Sequence, residues 1–135
     1  ELRLIFDRER FDRYGRTLAY VYRRDGFFVN AELLNQGYAF ALYRYPNNKE
    51  EKALLNAQRD AMKAGRGLWK YVDRGGEVPV NGYVGNRRSK RFHTHECPNG
   101  HRISKKNRVR LNSQWDAFWA GYAPAKGCIN FLPSK

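Results

Sequence analysis

Residues 12–22 read D-R-Y-G-R-T-L-A-Y-V-Y and determine how the first half of this chain is interpreted. The segment from Asp12 to Gly15 has the composition of a turn, because glycine readily adopts the positive φ that tight turns require. Residues 18–22 are rich in aromatic and β-branched side chains, which favour strands. The stretch therefore predicts a turn that presents Arg16 at the beginning of a strand.

The residues on either side of this stretch predict one more strand and a short helix. Residues 2–6 alternate in polarity, as a half-buried strand does. Asn30 is a favourable cap for a helix over residues 31–36, and Gly37 follows in the position where helices often end.

Two later helices are also predicted. One extends from about Lys49 to Ala64 and is ended by glycines, and its apolar side consists of Leu54, Ala57, Ala61 and Met62. The other begins at Ser113, whose spacing to Asp116 is that of a capping box, and ends at Gly121. The aromatic residues of this second helix have the spacing of a buried face, so we expect them in the core rather than at a base-stacking surface: Trp115, Phe118 and Trp119.

The charge of the chain favours an anionic partner. It has 26 Lys and Arg against 13 Asp and Glu, for a net charge of +13. Residues 76–135 carry 11 basic and 3 acidic side chains, so the excess is largest there. Nucleic acid is the first expectation and an acidic membrane surface the second. No apolar stretch is long enough to cross a bilayer and no secretory signal is visible, and because the sequence opens without Met we expect it to continue a longer one.

Four segments in order resemble the second half of the staphylococcal nuclease domain. They are the D-R-Y-G-R stretch, D-G-F-F-V-N-A-E-L-L-N-Q-G-Y-A at 25–39, Y-P-N-N at 45–48 and G-L-W at 67–69. The resemblance implies an α+β fold in residues 1–72, a partial OB-fold barrel made of the last strands plus two helices. Residues 73–82 then read as a linker, and residues 83–135 as a small, basic C-terminal α/β module.

The resemblance also implies site residues. Arg16 matches a catalytic arginine of the family, and a guanidinium can stabilise the charge that develops on a phosphate as water attacks it. Arg13, Tyr14, Tyr43 and Tyr45 would contact the nucleotide. The alternatives are that Arg16 is a surface arginine paired with Asp12 or Asp25, and that the tyrosines pack beneath the Pro-Asn loop.

The family's calcium ligands, its general base and its first catalytic arginine have no counterpart in these residues. The chain is therefore expected to be part of a metal-dependent nuclease that cuts DNA or RNA, and to be catalytically incomplete by itself. The alternative is a non-catalytic nucleic-acid-binding or scaffold module. Exposed strand edges are expected, or a partner that covers them: the missing N-terminal half or a second copy. The resemblance implies a secreted or periplasmic protein. No membrane partner is expected.

The C-terminal module resembles the small metal-binding module of the Ada DNA-repair protein. The similarity lies in V-G-N-R-R-S-K-R-F-H-x3-C-P, I-S-x2-N-R-V and A-G-Y-A-P-A-K-G-C, which end at residues 98, 109 and 128. It implies His93, Cys97 and Cys128 as metal ligands, but the fourth position falls on Ala125. Three outcomes are open for these residues: a Cys97–Cys128 disulfide, which we favour, a zinc site completed by His95, His101 or water, and free thiols. Two basic sets could follow a phosphate backbone: residues 87–91, and the cations at 102, 105, 106, 108 and 110.

Overall fold

The computed structural model of the protein describes residues 1–72 and 79–129, and it confirms the α+β class. The strands are β1 Leu2–Ile5, β2 Tyr20–Arg23, β3 Tyr83–Asn86, β4 Arg91–Thr94, β5 Arg108–Leu111 and β6 Ala123–Pro124. The α-helices are α1 Val29–Asn35, α2 Glu51–Ala64, α3 Pro98–His101 and α4 Gln114–Trp119. Short 3-10 helices cover Gly67–Lys70 and Lys105–Asn107.

The two strands of the N-terminal part pair with each other. β1 and β2 form an antiparallel two-stranded sheet in which Leu2 lies opposite Arg23 and Ile5 lies opposite Tyr20. Apolar side chains of β1 are exposed, Leu2 by 62%. The partial OB barrel stays a prediction, because within the described residues no third strand joins β1 and β2, and Tyr22 of β2 makes only an isolated bridge to Phe28.

Helix α1 corrects the prediction that Asn30 caps it. The helix begins at Val29, so Asn30 lies in its first turn, and Phe28 occupies the cap position without a side-chain hydrogen bond. The Asn30 side chain instead accepts a hydrogen bond from the backbone N–H of Val21, at 2.7 Å. A tertiary contact to β2 thus uses the amide that sequence reasoning assigned to the helix terminus. Gly37 follows the helix with φ +78°, as predicted.

Helix α2 contributes a polar residue to the interior. Ala61 and Met62 are buried on the predicted apolar side, and Gln58 is buried beside them. The Gln58 amide accepts the backbone N–H of Ala41 at 2.6 Å and donates to the carbonyl of Phe118 at 2.8 Å. Both hydrogen bonds satisfy a group that would be costly to bury alone.

The C-terminal part is built on a four-stranded sheet with the order β5-β3-β4-β6, in which β3 is antiparallel to both neighbours and β6 is parallel to β4. Helix α4 packs on this sheet. Its predicted cap is confirmed, since Ser113 Oγ accepts the N–H of Asp116 at 3.0 Å, and Gly121 follows the helix with φ +92°. No helix in the described residues is both long and apolar enough to span a membrane.

One hydrophobic core includes side chains from both sides of the predicted linker. Phe118 of α4 is fully buried, and its ring lies 5.0 Å from the Trp69 ring and 5.5 Å from the Phe92 ring. Of the predicted aromatic face of α4, Phe118 is thus in the core, and Trp115 and Trp119 are partly buried against it. Residues 73–78 of the predicted linker lie outside the described residues, and the division into two domains stays a prediction.

Two glycines meet where α1 and α2 end. The carbonyl of Gly37 accepts the N–H of Leu68 at 2.9 Å, and a Cβ added to Gly37 would lie 2.2 Å from the backbone oxygen of Arg66. Gly67 is equally confined, since its Cβ would lie 2.2 Å from the oxygen of Gly37. The close approach of the two backbones therefore requires glycine on both sides.

We expect Gly37→Ala to lower the free energy of unfolding by about 2–4 kcal/mol, because positive φ and steric overlap both oppose the side chain. Gly26→Ala is the matched control, since Gly26 has φ +87° but open space around its Cβ position. It should cost about 1 kcal/mol. Urea denaturation of both variants measures the difference, and equal losses would show that the contact with Arg66 relaxes.

Candidate nucleic-acid interface

A tight turn over residues 12–16 holds the predicted catalytic arginine. Its backbone closes through hydrogen bonds from the N–H of Asp12 to the carbonyl of Arg16 and from the N–H of Gly15 to the carbonyl of Asp12, each at 3.0 Å. Gly15 has φ +80°, a conformation that glycine adopts without strain. The turn forms because the Asp12 carboxylate also accepts the N–H groups of Tyr14 and Arg16, both at 2.9 Å.

The Arg16 side chain is exposed and held at one nitrogen. Its Nε donates to Asp12 Oδ2 at 2.6 Å. The side chain of Arg16 is 74% exposed, whereas that of Asp12 is 5% exposed. Within the described residues the two terminal nitrogens of Arg16 make no hydrogen bond. The surface pairing with Asp12 that sequence analysis weighed as the alternative is therefore present, but it leaves the outer edge of the guanidinium available to a ligand.

The charge on Asp12 is itself stabilised by this arrangement. Desolvation opposes ionisation, but the hydrogen bonds from the backbone and side chain of Arg16 and from Tyr14 prevail and lower the pKa of Asp12 below its ordinary value. The carboxylate is consequently ionised at neutral pH and can act as a fixed anchor for Arg16. Sequence reasoning considered Asp12 only as a competitor for Arg16. Its position four residues before Arg16 was the available signal.

Tyr14 lies between the two arginines of the turn. Its ring is exposed, and its hydroxyl accepts a hydrogen bond from Arg13 Nη2 at 2.6 Å. The guanidinium carbons of Arg13 and Arg16 lie 4.8 Å and 5.3 Å from the ring centroid. The turn thus brings together three of the residues that sequence analysis selected, and it combines two cations with an exposed aromatic ring.

The loop over residues 43–48 is tied to the segment that follows β1. The side-chain amide of Asn47 accepts the N–H of Glu9 at 2.8 Å and donates to the Glu9 carbonyl at 2.9 Å. The carboxylate of Asp7 accepts the N–H of Lys49 at 2.8 Å and the hydroxyl of Tyr20 at 2.7 Å. These bonds fix the loop, and sequence analysis did not select Asp7 or Asn47.

The hydrogen bond between Asp7 and Tyr20 shifts the pKa values of both groups. Burial and the hydrogen bond to Asp7 raise the pKa of Tyr20 to about 12. Desolvation raises the pKa of Asp7, but the hydrogen bonds from Tyr20 and Lys49 outweigh it, so the pKa of Asp7 is lowered. Tyr20 therefore remains a donor, and Asp7 an acceptor, throughout the neutral range.

Of the two loop tyrosines, one is half-buried and the other is exposed. Tyr43 lines a cavity of about 230 Å³ together with Asp7 and Tyr20. Tyr45 projects from the loop, 63% exposed, and the Arg88 guanidinium carbon lies 5.9 Å from its ring centroid. Arg91 donates to the carbonyl of Tyr43 at 2.9 Å. The structure therefore places the basic run at 87–91 beside the loop tyrosines, a juxtaposition that sequence analysis missed because nothing local indicates it.

The Arg16 turn and the tyrosine loop are separate groups linked through one segment. Among the described residues no hydrogen bond or ring contact joins Tyr14 or Arg16 to Tyr43 or Tyr45. Both groups border residues 7–10: Glu9 bonds Asn47, and the carbonyl of Arg10 accepts the N–H of Leu18 at 2.8 Å.

The described residues do not fit a calcium site. A hard cation requires several oxygen ligands gathered at one point. The group of three or more possible ligands found in the described residues is His93, Cys97 and Cys128, whose ligand atoms lie within 4.8 Å of one another and include no carboxylate. The carboxylates of the N-terminal part instead have separate partners. Asp12 bonds Arg16, Asp7 bonds Tyr20 and Lys49, and three others pair with other arginines: Glu1, Glu9 and Asp25.

Cys97 and Cys128 are joined by a disulfide with Cα atoms 6.0 Å apart. His93 lies beside the bridge; burial lowers the pKa of its imidazole, and its Nδ1 is buried without a hydrogen-bond partner. A neutral imidazole with a free nitrogen and, after reduction, two thiolates would fit three positions of a tetrahedral zinc site. His95 and His101 do not belong to this cluster. They form an edge-to-face pair with ring centroids 5.5 Å apart, so the proposed completion of the site by either histidine is not supported.

Comparison with known proteins identifies the family of the N-terminal part of the chain. The family model described as "Staphylococcal nuclease homologue" matches residues 2–71. The chain is 43% identical over 68 residues to a thermonuclease of Staphylococcus intermedius and 39% identical over 69 residues to a thermonuclease of Staphylococcus hyicus. These alignments cover 50% and 51% of this chain but 40% of each relative. The chain thus corresponds to less than half the length of these relatives.

Proposed function

Because this chain belongs to the family of staphylococcal nuclease homologues, we propose that it is part of a metal-dependent nuclease that hydrolyses phosphodiester bonds in DNA or RNA. The observation that supports this most directly is the Arg16 guanidinium, anchored at Nε by a nearly buried Asp12 and exposed at its outer edge. A cation oriented before the substrate arrives loses little freedom when it binds a phosphate.

The role of Arg16 follows from the charge of the reacting group. As water attacks phosphorus, negative charge grows on the phosphate oxygens, and the two terminal nitrogens of a guanidinium can donate two parallel hydrogen bonds to them. Donors that are already in place stabilise the transition state more than the ground state. Asp12 is the positioning residue, since its bond to Nε turns those two nitrogens outward.

Tyr14, Arg13, Tyr43 and Tyr45 would hold the nucleotide in this proposal. The exposed rings of Tyr14 and Tyr45 offer surfaces for stacking or for sugar contact, and a base stacked on an aromatic ring contributes about 1–3 kcal/mol without regard to sequence. Tyr43 is half-buried, and we assign to it the inner wall of the site. Such contacts fit an enzyme with little sequence preference.

Calcium is the metal that the resemblance implies, and the described residues cannot hold it. We propose that the carboxylates, together with the residue that activates the attacking water, come from outside this chain, from the rest of the protein or from a partner that completes the sheet over the exposed side chains of β1. In this proposal residues 1–72 therefore contribute substrate binding and charge stabilisation.

The proposal is tested by assaying the complete gene product on double-stranded DNA, single-stranded DNA and RNA, with calcium and with a chelator. Cleavage that requires the metal is expected. A complete protein that binds these substrates but cleaves none of them would favour the second candidate, a non-catalytic nucleic-acid-binding module. That candidate is supported by the absence of a carboxylate cluster within residues 1–72 and 79–129 and by the basic charge of the C-terminal part. A protein that binds no nucleic acid would favour a scaffold.

We further propose that the protein works in an oxidising compartment, as a secreted or periplasmic enzyme. The Cys97–Cys128 bridge supports this, because disulfides persist in such compartments and are rare in the cytosol. The resemblance of residues 83–135 to the Ada module stays a prediction.

The state of the two cysteines is open to direct measurement. We expect the intact mass of the purified protein to be lower by two hydrogens than that of the dithiol, with no bound zinc. Reduction should lower the free energy of unfolding by about 3–4 kcal/mol, because the bridge closes a loop with a sequence separation of 31 residues. The Cys97→Ser/Cys128→Ser variant serves as the control that reduction should not alter. An added zinc ion would contradict the disulfide, and an unshifted mass would show free thiols.

A further inference from the structure

An open, polar pocket of about 390 Å³ lies against β4 in the C-terminal part of the chain, apart from the Arg16 turn. Its charged lining consists of Arg91 on β4, Arg102 after α3 and Lys126 after β6. The side-chain amides of Asn86 and Asn99 also line it. The volume is within the range of small-ligand sites, and the lining offers hydrogen-bond donors and positive charge.

The cations around this pocket lack anionic partners. Residues 79–129 contain two carboxylates, Glu96 and Asp116, and neither lines the pocket. The ion pairs of the described residues all lie within residues 1–44. A concave site with three positive side chains and no neighbouring carboxylate raises the local concentration of anions.

Arg91 is the most confined of these cations. It is half-buried, and its Nη1 donates to the backbone carbonyls of Tyr43 at 2.9 Å and Ser89 at 3.1 Å. Within the described residues its other two guanidinium nitrogens make no hydrogen bond. Because Arg91 is half-buried and no carboxylate lines the pocket, a bound anion would compensate its positive charge.

One buried polar group also lies in the wall of the pocket. His93 also lines the pocket, is 8% exposed, and has a buried Nδ1 without a hydrogen-bond partner in the described part of the chain. A buried polar atom that lacks a partner is costly. That nitrogen is shielded from solvent, and His93 belongs to the group that could hold zinc with the two cysteines, so anion binding in the pocket is assigned to the three cations alone.

The pocket adjoins the tyrosine loop through Arg91. Arg91 lines the pocket and bonds the carbonyl of Tyr43, while Arg88, three residues earlier, approaches the ring of Tyr45. We propose that this pocket binds an internal phosphodiester of a nucleic-acid strand whose neighbouring nucleotide lies at Tyr45. That the ligand is a nucleic acid rests on the proposed function. That the bound group is a phosphate rests on the positive charge of the pocket.

The test measures equilibrium binding of the disulfide-intact chain to a short, fluorescein-labelled oligothymidylate with a 5′-hydroxyl end. Fluorescence anisotropy reports the binding, and EDTA is present to exclude zinc binding and metal-dependent cleavage. The variant combines Arg102→Gln with Lys126→Gln, because both side chains are exposed and their loss should not disturb folding. We expect affinity to fall about tenfold and the slope of log K against log salt concentration to decrease by about 1–2.

The matched control combines Lys105→Gln with Lys106→Gln, which removes the same charge from exposed positions of the same module outside the pocket. It should weaken binding by less than about threefold. If both double variants lost affinity equally, or if neither lost affinity, the proposed phosphate site would be refuted in favour of a diffuse basic surface.

Two further measurements are needed. One distinguishes an internal phosphodiester from a terminal or free phosphate, and the other distinguishes failure of the pocket from failure of the proposed nuclease function. If the Arg102/Lys126 variant lost affinity only for a 5′-phosphorylated strand, or if inorganic phosphate competed as well as the strand does, the assignment to an internal phosphodiester would be overturned. Retention of the tenfold loss in a complete protein that cleaves nothing would support the pocket and refute the nuclease. Normal cleavage by the complete protein, with an unchanged KM in the variant, would do the opposite.

Discussion

Replacing Arg16 with alanine should lower the turnover number of the proposed complete nuclease by about 10²–10³-fold, the loss expected when one positioned charge-stabilising donor is removed. The reason is geometric. Asp12 holds Nε and directs the two terminal nitrogens outward, so alanine removes both hydrogen bonds to the phosphate at the stage where its charge is largest. KM should change little, because the stabilisation is greatest in the transition state. Single-turnover cleavage of a labelled duplex measures the effect.

Two control variants test whether the loss of turnover is specific to the Arg16 guanidinium. Arg24→Ala removes an arginine of the same part of the chain that is exposed and 3.7 Å from Glu1, and it should retain parental turnover. Arg16→Lys retains the charge but loses the planar fork, and it should recover little of the activity. Thermal unfolding of all three should resemble the parent. Parental turnover in Arg16→Ala would exclude Arg16 from the mechanism.

Replacing Phe118 with alanine lowers the free energy of unfolding by about 3–5 kcal/mol. The side chain is 0% exposed, and its ring contacts those of Phe40, Trp69 and Phe92. Those partners come from both sides of the predicted linker, so we expect the cavity to weaken the N-terminal and C-terminal parts together. Guanidinium denaturation followed by tryptophan fluorescence and by far-UV circular dichroism should show coincident, shifted transitions.

Tyr38→Ala is the control for this variant, since Tyr38 is an aromatic residue with 73% exposure. Its free energy of unfolding should remain within about 0.5 kcal/mol of the parent. Two separate transitions in Phe118→Ala, with one of them unshifted, would show that the parts unfold independently.

Sequence reasoning predicted the features that depend on neighbouring residues. The Ser113 cap, the turn at Gly15 and the positive φ of Gly37 each follow from chemistry within a few positions, and the structure has all three. Helix α2 and the buried face of α4 follow from periodicity. The Asn30 cap was wrong because Val21, distant in sequence, takes its amide oxygen.

The features that sequence reasoning missed depend on tertiary contacts. Gln58 looks like a surface residue of α2, and only the positions of Ala41 and Phe118 make its burial possible. The approach of Arg88 to Tyr45 joins positions from the two predicted domains. For the candidate site, Arg16 and Tyr14 could be selected through a family motif, whereas the anchoring of the tyrosine loop by Asp7 and Asn47 has no local signal.

The two hydrogen bonds of Gln58 bear on how this protein can be recombined. The side-chain amide of Gln58 bonds both Ala41, in the segment before the tyrosine loop, and Phe118, in the last turn of α4. A chimera that grafted a foreign C-terminal segment after residue 72 would leave the Gln58 NH2 group without its acceptor and uncover the indole of Trp69. We therefore expect the two parts to be exchanged between relatives as a single cassette, and fusion designs to retain residues 1–129 intact.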